Sequence, residues 1–303
     1  MRVSVVMATY NAMPYLPDAA GSILDQTLRQ FELIIVNDGS TDGTRDYLRS
    51  LDDDRVRVLE QTNQGQQAAA NAGIAAAQTN LIARMDADDV SEPDRLEKQV
   101  SFLDANPSVG LVGSQIYRLG DAKRGLPSRL PCDHKGIDRA LLANHHAICN
   151  PTIVFRKELF EQIGGYWQYD IAEDWDMFLR IGEISLLANL PEALLSYRFH
   201  ADSINGRRMV EAQLYNEFAC ELARRRRRGD QPITIERFRH QHRSSRWPQS
   251  WLFHLDCQSV AQYRVAVAEV LNGRPIQGYG RLAYSMACSP SRTLQRMQRL
   301  FVR

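Results

Sequence analysis

The sequence predicts an α/β protein with a mostly parallel sheet flanked by helices, followed by an all-helical C-terminal region. Two observations lead to this prediction. In the first half of the chain, short and almost continuously apolar runs alternate with segments of helical spacing, as in parallel sheets that helices cover on both faces. After about residue 205, helical spacing continues and no strand-like run is found.

The first domain begins with elements that alternate between strand and helix. Runs rich in β-branched and aliphatic residues predict strands, and apolar residues recurring every three or four positions predict helices. The predicted strands are Val3–Ala8, Phe31–Val36, Arg55–Leu59, Leu81–Met85 and Val109–Val112. The predicted helices are Pro14–Gln26, Thr41–Leu51 with Thr41 or Asp42 near its N-cap, the alanine-rich Gln66–Gln78, and Pro93–Ala105.

The chain is less regular from there to residue 205 and helical beyond it. Glycine, proline and charged residues between Gly120 and Lys135 predict a loop. The next predicted elements are the strand Thr152–Phe155, a helix ending at Gly164-Gly165, a helix starting near Glu173, and mixed strand and loop over Leu186–His200. The helical spacing then continues in Met209–Arg228, Trp251–Leu271, Gly280–Cys288 and Ser291–Val302.

The balance of charge also divides the chain near residue 205. The 303 residues carry 37 basic and 36 acidic side chains, for a net charge of +1. Residues 1–203 hold 19 basic and 29 acidic residues, whereas residues 204–303 hold 18 and 7. We therefore predict a first domain over residues 1–205 and a basic helical region over residues 206–303.

Composition excludes several classes of protein. With 44% hydrophobic residues, 18 glycines and 12 prolines, the chain is neither collagen-like nor wholly disordered. No run approaches the length of a transmembrane helix, and Val3–Ala8 is too short for a signal peptide, so we expect a cytoplasmic protein. The five cysteines include no CxxC pair, which predicts free thiols rather than disulfides or a zinc site.

Polar residues follow three of the predicted strands at the point where each strand ends. They are Thr9-Tyr10-Asn11 after the first strand, Asn37-Asp38-Gly39 after the second and Asp86-Ala-Asp88-Asp89 after the fourth. Ligands of parallel sheets bind beyond the carboxyl ends of the strands, so we expect these residues to gather along one edge.

The acidic segment Asp86-Ala-Asp88-Asp89 is the strongest indication of chemistry. Strand alternation directs Asp86 and Asp88 to the same side, where two carboxylates repel each other unless a cation joins them. Hard oxygen ligands suit Mg²⁺ or Mn²⁺, and a small number of protein ligands leaves coordination positions for phosphate oxygens. The alternative is a solvated acidic turn that caps the helix starting near Pro93.

Two other polar segments have both a chemical and a structural interpretation. Asp38 in Asn37-Asp38-Gly39-Ser40 can accept hydrogen bonds from a base or ribose, but this segment also forms an Asx-type turn without any ligand. The three acids of Glu173-Asp174-Trp175-Asp176 indicate a general base, although the helix dipole also stabilises carboxylates at a helix N-terminus.

A fourth polar segment is Tyr197-Arg-Phe-His200. Strand alternation places Arg198 and His200 on one face, as a cation and a candidate metal ligand. The alternative for a histidine at a strand end is a structural hydrogen bond.

Taken in order, these segments resemble glycosyltransferase family 2, whose members have the GT-A fold, a Rossmann-like sheet flanked by helices. The resemblance runs from Val3 to His200, two-thirds of the chain. The matching motifs are Ser4-Val-Val-Met-Ala-Thr-Tyr-Asn11, Val36-Asn-Asp-Gly-Ser-Thr-Asp42, Asn63-Gln-Gly65, Asn71-Ala-Gly73, Asp86-Ala-Asp-Asp89, Arg95-Leu-Glu-Lys-Gln99, Asn150-Pro-Thr152, Gly164-Gly-Tyr166 and Glu173-Asp-Trp-Asp176. Each motif is weak alone, but their common order leaves little room for chance.

The resemblance implies a metal-dependent enzyme that transfers a sugar, with inversion, from a nucleotide diphosphate sugar to an acceptor hydroxyl. The residues that would line the donor site are Thr9, Tyr10, Asp38, Asn63 and Asp86. The main ligand of Mn²⁺ or Mg²⁺ would be Asp88, and Asp86 and Asp89 would assist. His200, the candidate ligand from strand alternation, is a further metal ligand in this prediction. Asp174 would be the catalytic base, with Glu173 as the alternative, and Trp175 would help to shape the acceptor site.

The sequence departs from the family pattern at two positions. Ala8 stands where proline is common, and Ala70 stands where many relatives have an arginine that contacts the donor. We expect another cation to replace that arginine, and the candidates are Arg84, Arg198 and Arg207.

The basic C-terminal region suggests a negatively charged partner. Five arginines, Arg224–Arg228, end a predicted helix. In the last segment, Leu294, Met297, Leu300 and Phe301 share one face, surrounded by Arg292, Arg296, Arg299 and Arg303. Attraction to anionic lipid would place the protein at the inner face of the plasma membrane, near glycan or lipid-linked acceptors. The alternatives are a solvated helix end, an internal neutralising patch and a subunit interface, and no nucleic-acid-binding motif is found.

Three functions are compatible with the sequence. The first is an inverting, metal-dependent glycosyltransferase of cell-surface polysaccharide or lipopolysaccharide synthesis. The second is a metal-dependent nucleotidyltransferase, but Ala8–Pro14 lacks the glycine and lysine expected after its first strand. The third is a transferase-like scaffold without activity, against which the joint presence of Asp38, Asp86, Asp88 and Asp174 argues.

Overall fold

The computed structural model describes residues 1–120, 124–167, 169, 171–198, 209–244 and 249–290. Two units are distinguished within the chain. One comprises Met1–Tyr117 and Leu130–Tyr197, and the other comprises Arg118–Arg129 and Arg198–Arg303. The predicted domain boundary at residue 205 falls outside the described residues and stays a prediction.

Strands and helices alternate through the first two-thirds of the chain. The strands are β1 (Val3–Thr9), β2 (Phe31–Asp38), β3 (Val56–Gln61), β4 (Leu81–Asp86), β5 (Val90–Ser91), β6 (Val109–Leu119), β7 (Arg124–Pro127), β8 (Val154–Arg156) and β9 (Leu186–Arg198). The helices are α1 (Leu16–Leu24), α2 (Thr44–Ser50), α3 (Gln66–Ala76), α4 (Arg95–Ala105), α5 (His134–Leu142), α6 (Lys157–Gln162) and α7 (Glu173–Ile184). A short 3-10 helix, Asn150–Thr152, precedes β8.

The described strands form one sheet of nine strands. Neighbouring strands follow the order β3-β2-β1-β4-β8-β6-β9-β5, and β7 pairs with β6. The first four are parallel, so that Val6 of β1 lies beside Ile34 of β2 and Arg84 of β4. In contrast, β8 pairs antiparallel with β4 and β6, and β5 pairs antiparallel with β9. Parallel pairing is therefore confirmed for the first four predicted strands, whereas Val109–Val112 lies in the antiparallel part of the sheet.

Burial on both faces of the sheet explains why its central strands are almost continuously apolar. All eight residues of β2 are buried. On one face, Val5 and Leu33 belong to a hydrophobic core that includes residues of α1 and α4. On the other face, α3 approaches so closely that a Cβ at Gly73 would lie 2.5 Å from Cγ1 of Val6. Helices therefore exclude water from both sides of β1, β2 and β4, whereas β3 at the end of the sheet is half-buried.

Local interactions account for several differences from the predicted elements. Helix α2 begins at Thr44 rather than near Thr41, because the Asp42 carboxylate accepts a hydrogen bond from the Thr44 amide at 2.9 Å. The segment predicted as a loop after Gly120 contains β7, which pairs with β6. β9 is one continuous strand of 13 residues, where mixed strand and loop was predicted.

The C-terminal part is helical in its described residues, as the sequence predicts. Its helices are α8 (Met209–Arg228), α9 (Ile235–Ser244), α10 (Gln249–Leu271) and α11 (Pro275–Cys288). The hydroxyl groups of Ser259 in α10 and Ser285 in α11 lie 3.1 Å apart, so these two helices pack closely.

Two helices in the C-terminal region differ from the prediction or are not tested by the structure. The sequence predicts no helix at α9, because Ile235 and Phe238 are the only apolar residues of that segment. The predicted helix Ser291–Val302 lies outside the described residues. Among the helices that are described, none combines the length and the apolar character needed to cross a bilayer.

Candidate active site

The carboxyl ends of β1, β2 and β4 lie at one edge of the sheet, as the sequence predicts. Thr9 is in register with Asn37, and Ala8 is in register with Asp86. Thr9 is buried, and its hydroxyl has no hydrogen-bond partner among the described residues. Tyr10, the next residue, is 51% exposed. The parallel pairing thus brings together the polar segments that follow these strands.

Asp86, Asp88 and Asp89 form a cluster of carboxylates in the turn between β4 and β5. One carboxylate oxygen from each residue lies within 4.8 Å of the other two. Asp86 and Asp88 are half-buried, whereas Asp89 is fully buried. Carboxylate oxygens grouped in this way suit a hard divalent cation, so the residues fit the predicted Mn²⁺ or Mg²⁺.

Asp89 differs from the other two acids because it interacts with a buried arginine. The guanidinium of Arg95 in α4 donates to the carbonyls of Arg84 (3.1 Å) and Pro151 (2.7 Å). It also donates to the Ser91 hydroxyl at 2.8 Å. Burial lowers the pKa of Arg95 to about 10, and the charge of Asp89 opposes this shift. The metal role predicted for Asp89 therefore competes with a structural charge pair.

The ionisation of Asp86 links the edge of the sheet to α7. Burial raises the pKa of Asp86 to about 6, and the nearby Arg84 opposes the shift. The carboxylates of Asp88 and Asp174 act on the Asp86 pKa in the same direction as burial. Asp174, the predicted base, therefore lies within electrostatic range of Asp86, a predicted metal ligand.

Helix α7 presents Glu173 and Asp174 at its N-terminus. Ala172, directly before it, has a φ of 57°, a left-handed conformation that is strained for a residue with a Cβ. Burial raises the pKa of Glu173 to about 8, and the charge of Asp174 adds to the effect. Glu173 therefore holds its proton more tightly than an ordinary glutamic acid does, which disfavours it as the base.

The last two residues of the Glu173–Asp176 segment are largely enclosed by the fold. Asp176 is buried and binds Arg180 of the same helix, with 2.6 Å between Oδ2 and Nε. Trp175 is 7% exposed and stacks on His146, with ring centroids 6.5 Å apart. The acceptor-site role of Trp175 stays a prediction, and only a small part of its surface is open to a ligand.

Asp38 and Asn63 meet at the loop that follows β3. The buried Asp38 carboxylate accepts hydrogen bonds from the Gln61 side chain at 2.7 Å and from the Gln64 amide at 2.8 Å. Its second oxygen accepts from the Gly65 amide at 2.9 Å. Asn63 is exposed in the same loop. Asp38 therefore holds this loop in place, and its contact with the donor nucleotide stays a prediction.

The Asx-type turn, which was the alternative interpretation of this segment, is formed by Asn37. Its side-chain oxygen accepts a hydrogen bond from the Ser40 amide at 3.1 Å. The Ser40 hydroxyl in turn accepts from the Asn11 amide at 3.0 Å, which ties the ends of β1 and β2 together.

The remaining predicted residues have different outcomes. His200, a predicted metal ligand, and Arg207, a candidate cation, lie outside the described residues. Arg198 is half-buried at the end of β9. Ala70 is fully buried in α3, so an arginine there would have to displace packed atoms. Of the three candidate cations, Arg84 is the one that the structure describes beside the carboxylate of Asp86.

Tyr166 lies within electrostatic range of Arg84, Glu173 and Asp174, although the sequence alone indicates no role for it. Gly164 and Gly165 both have positive φ and turn the chain after α6, so that Tyr166 packs edge-on against Phe160. The Tyr166 hydroxyl is buried and has no hydrogen-bond partner among the described residues. Burial raises its pKa, and Arg84 opposes the shift. In the sequence, only its place in the family motif Gly164-Gly-Tyr166 distinguishes this tyrosine.

Comparisons with known sequences agree with this geometry. A profile of the family described as Glycosyl transferase family 2 matches residues 4–164. The amylovoran biosynthesis glycosyltransferase AmsE of Erwinia amylovora is 31% identical over 228 residues, which cover 70% of this chain and 84% of AmsE. The O-antigen biosynthesis glycosyltransferase WbnJ of Escherichia coli is 32% identical over 207 residues, which cover 66% of this chain and 81% of WbnJ.

A solved structure has the same fold. The mannosyltransferase PcManGT of Pyrobaculum calidifontis, in complex with GDP-Man and Mn²⁺, matches with a TM-score of 0.58 at 19% identity. The match covers 98% of this chain and 79% of that chain, and it confirms the predicted GT-A fold. The motifs, the fold and the family profile together show that the chain belongs to glycosyltransferase family 2.

Proposed function

We propose that the protein is a metal-dependent, inverting glycosyltransferase that moves a sugar from a nucleotide diphosphate sugar to a hydroxyl of a glycan or lipid-linked acceptor. The observation that carries the proposal is the carboxylate cluster of Asp86, Asp88 and Asp89 at the end of β4, and the charge of Asp174, at the start of α7, acts on Asp86 of that cluster. Asp86 and Asp174 are distant in sequence, so tertiary structure brings them to one place.

The relatives support the choice of donor and pathway class. AmsE and WbnJ carry names from amylovoran and O-antigen biosynthesis, which suggests assembly of a cell-surface polysaccharide. PcManGT was solved with a nucleotide diphosphate sugar and Mn²⁺, which suggests the same classes of donor and cation here.

Asp86 and Asp88 are the residues that would hold the cation, with Asp89 and His200 as further candidates. When bound, a divalent cation neutralises charge that gathers on the diphosphate as the bond to the sugar breaks. Asp86 must be ionised to serve as a ligand, and the neighbouring Arg84 favours that ionised form by lowering the Asp86 pKa.

Asp174 would accept the proton of the acceptor hydroxyl while the hydroxyl oxygen attacks the anomeric carbon. The bond between that carbon and the phosphate oxygen breaks at the same time, and the nucleoside diphosphate leaves with the electron pair. Attack from the face opposite the leaving group inverts the anomeric centre. Glu173, whose pKa is raised by burial and by the charge of Asp174, would hold its proton and act as a hydrogen-bond donor rather than as the base.

A panel of UDP-, GDP- and dTDP-sugars, assayed with and without Mn²⁺, tests the proposal by measuring release of nucleoside diphosphate. We expect the wild type to hydrolyse at least one donor slowly, and EDTA to stop the reaction. Asp174→Asn should reduce the rate by at least about a hundredfold, in the range of a lost general base. Glu183→Gln, in the last turn of the same helix, is the matched control and should retain the wild-type rate.

Three results would contradict this proposal in different ways. An Asp174→Asn variant with the wild-type rate would refute the assignment of the base. Release of pyrophosphate instead of nucleoside diphosphate would indicate a nucleotidyltransferase. A wild-type protein that binds no nucleotide sugar with either Mn²⁺ or Mg²⁺ would favour a scaffold.

We also propose that the basic end of α8 attracts the protein to anionic lipid at the cytoplasmic face of a membrane. Within Arg224–Arg228, Arg225 binds Glu221 at 2.8 Å, while Arg226 and Arg227 are exposed. We expect sedimentation with vesicles that contain phosphatidylglycerol but not with pure phosphatidylcholine vesicles. The Arg226→Ser/Arg227→Ser variant should sediment less, and equal binding to both vesicle types would contradict the proposal.

A further inference from the structure

Two fully buried arginines near the acidic cluster have different surroundings. Hydrogen bonds to two carbonyls and one hydroxyl hold the guanidinium of Arg95. The guanidinium of Arg84 donates from Nη1 to the Val6 carbonyl at 3.0 Å, and its Nε has no hydrogen-bond partner in the described chain. Burying a charged group with unsatisfied donors lowers stability, so packing alone does not account for Arg84.

The titratable groups on which the charge of Arg84 acts include acids of the candidate active site and a tyrosine. Nη2 of Arg84 lies 3.8 Å from Oδ1 of Asp86, two residues later on the same side of β4. The charge of Arg84 also acts on Glu173 at the start of α7 and on Tyr166 before it. Arg84 is therefore a common countercharge for groups from two distant parts of the chain.

Arg84 lies on the face of the sheet that helix α3 covers. Val6 lies in register with Arg84, and Gly73 of α3 packs directly against Val6 on this face of the sheet. Ala70, almost one turn earlier in α3, is buried and small. Small residues in α3 therefore bring this helix close to the face of the sheet that carries Arg84.

An acidic cluster without such a charge favours a cation but repels an anion. The carboxylates of Asp86, Asp88 and Asp174 together with one divalent cation sum to a net negative charge, and a diphosphate adds more. A fixed positive charge behind the carboxylates offsets this repulsion without occupying a coordination position of the metal.

We propose that Arg84 is a positioning residue for the nucleotide diphosphate, because its buried charge allows the acidic cluster to accept an anionic diphosphate together with a cation. This inference rests on the proposed function and adds to it the source of the positive charge. At 1% exposure, the guanidinium acts through the field at the cluster rather than by direct contact with the donor.

Calorimetric titration separates this role from a structural one. Mn²⁺ is titrated alone, and UDP and GDP are then titrated into the Mn²⁺-saturated protein. Arg84→Met removes a charge that repels Mn²⁺ but also raises the pKa of the ligand Asp86, and these two effects oppose each other. We therefore expect Mn²⁺ affinity to stay within about threefold of the wild type and nucleoside diphosphate affinity to fall at least about tenfold. Arg84→Lys should restore nucleotide affinity to within about threefold of the wild type.

Arg156→Met is the matched control. Arg156 is half-buried and donates to the carbonyls of Leu103 and Val109, away from the acidic cluster. Its removal should leave both affinities within about threefold of the wild type. Arg84→Gln, which keeps hydrogen-bond donors but no charge, carries the same test if Arg84→Met does not fold.

The possible results are distinct. Unchanged nucleotide affinity in a neutral variant at position 84 would overturn the inference. A parallel loss of Mn²⁺ and nucleotide binding would also overturn it, because it would indicate a structural role. A wild-type protein that binds Mn²⁺ but neither nucleoside diphosphate would remove the proposed function itself, and the inference with it.

Discussion

Asp176 binds Arg180 one turn further along α7, with 2.6 Å between Oδ2 and Nε. The Arg180 guanidinium also donates to the carbonyls of Ile163 and Gly165, in the turn that leads to Tyr166. The side chains of Asp176 and Arg180 are 4% and 17% exposed. This ion pair therefore fastens the start of α7 to the turn before Tyr166, and it withdraws Asp176 from the acids available for catalysis.

Breaking this pair is expected to destabilise the fold. Arg180→Met leaves the Asp176 carboxylate buried without its partner, so the free energy of unfolding should fall by about 3 kcal/mol in urea titration. Glu161→Gln is the control, because Glu161 is 64% exposed and lies 3.9 Å from Lys157. That surface pair should contribute less than about 1 kcal/mol. An equal fall in the free energy of unfolding for both substitutions would contradict the conclusion that burial makes the Asp176–Arg180 pair more important than a surface pair.

The raised pKa of Glu173 predicts a specific dependence of stability on pH. The folded value of about 8 exceeds the ordinary value of 4.5, so the folded protein holds this proton more tightly than the unfolded chain does. The stabilising contribution is complete below pH 4.5 and is lost as the pH rises towards 8. In EDTA, Glu173→Gln should melt like the wild type near pH 5 and at a higher temperature near pH 9. A constant difference in Tm would refute the raised pKa.

The strands that position the acids could be predicted, because the burial of a strand determines the pattern of apolar residues within that strand. Strands enclosed on both faces, such as β1, β2 and β4, require nearly continuous apolar residues, and their polar ends then indicate the edge of the sheet where ligands bind. The direction of β6 was not predictable, because the apolar run Val109–Val112 contains no information about which strands pair with it. That pairing depends on β8, which follows in the chain only after α5.

The sequence also could not predict which of the acids is available to a metal and which one is paired with an arginine, because this depends on the packing around each carboxylate. The segment Asp86–Asp89 identifies three carboxylates, but only tertiary structure gives Asp89 a buried arginine as its neighbour. For Asp86, the sequence contains one indication of its surroundings, because Arg84 is a charged residue within the otherwise apolar strand Leu81–Met85. A charged residue inside a buried strand departs from the local pattern, and such departures are expected at functional or strained positions.

Two helix glycines are expected to respond oppositely to the same substitution. A Cβ at Gly73 in α3 would lie 2.5 Å from Cγ1 of Val6 and 3.1 Å from Cγ2 of Val36. Gly73→Ala should therefore lower the free energy of unfolding by about 1–3 kcal/mol through overpacking. No atom lies within 4 Å of a Cβ at Gly21 in α1, so Gly21→Ala should raise it by about 0.5–1 kcal/mol. Denaturant titration measures the change in the free energy of unfolding of each variant. A change of the same sign in both variants would contradict this packing.

The neighbouring acids Asp88 and Asp89 are expected to separate metal binding from stability. Asp88 is half-buried and shares the carboxylate cluster with Asp86, so Asp88→Asn removes a ligand and a like-charge repulsion together. Its Mn²⁺ affinity should fall at least about tenfold, while the free energy of unfolding stays level or rises by up to about 1 kcal/mol.

Asp89→Asn should give the reverse result. Asp89 is 1% exposed, and its charge supports the fully buried Arg95, so the amide leaves that guanidinium without its countercharge. The free energy of unfolding should fall by about 3 kcal/mol, and Mn²⁺ affinity should change less than in Asp88→Asn. Urea unfolding and Mn²⁺ titration on the same preparations measure both quantities. A stably folded Asp89→Asn protein that binds no Mn²⁺ would instead make Asp89 the principal ligand, with Asp88 as its assistant.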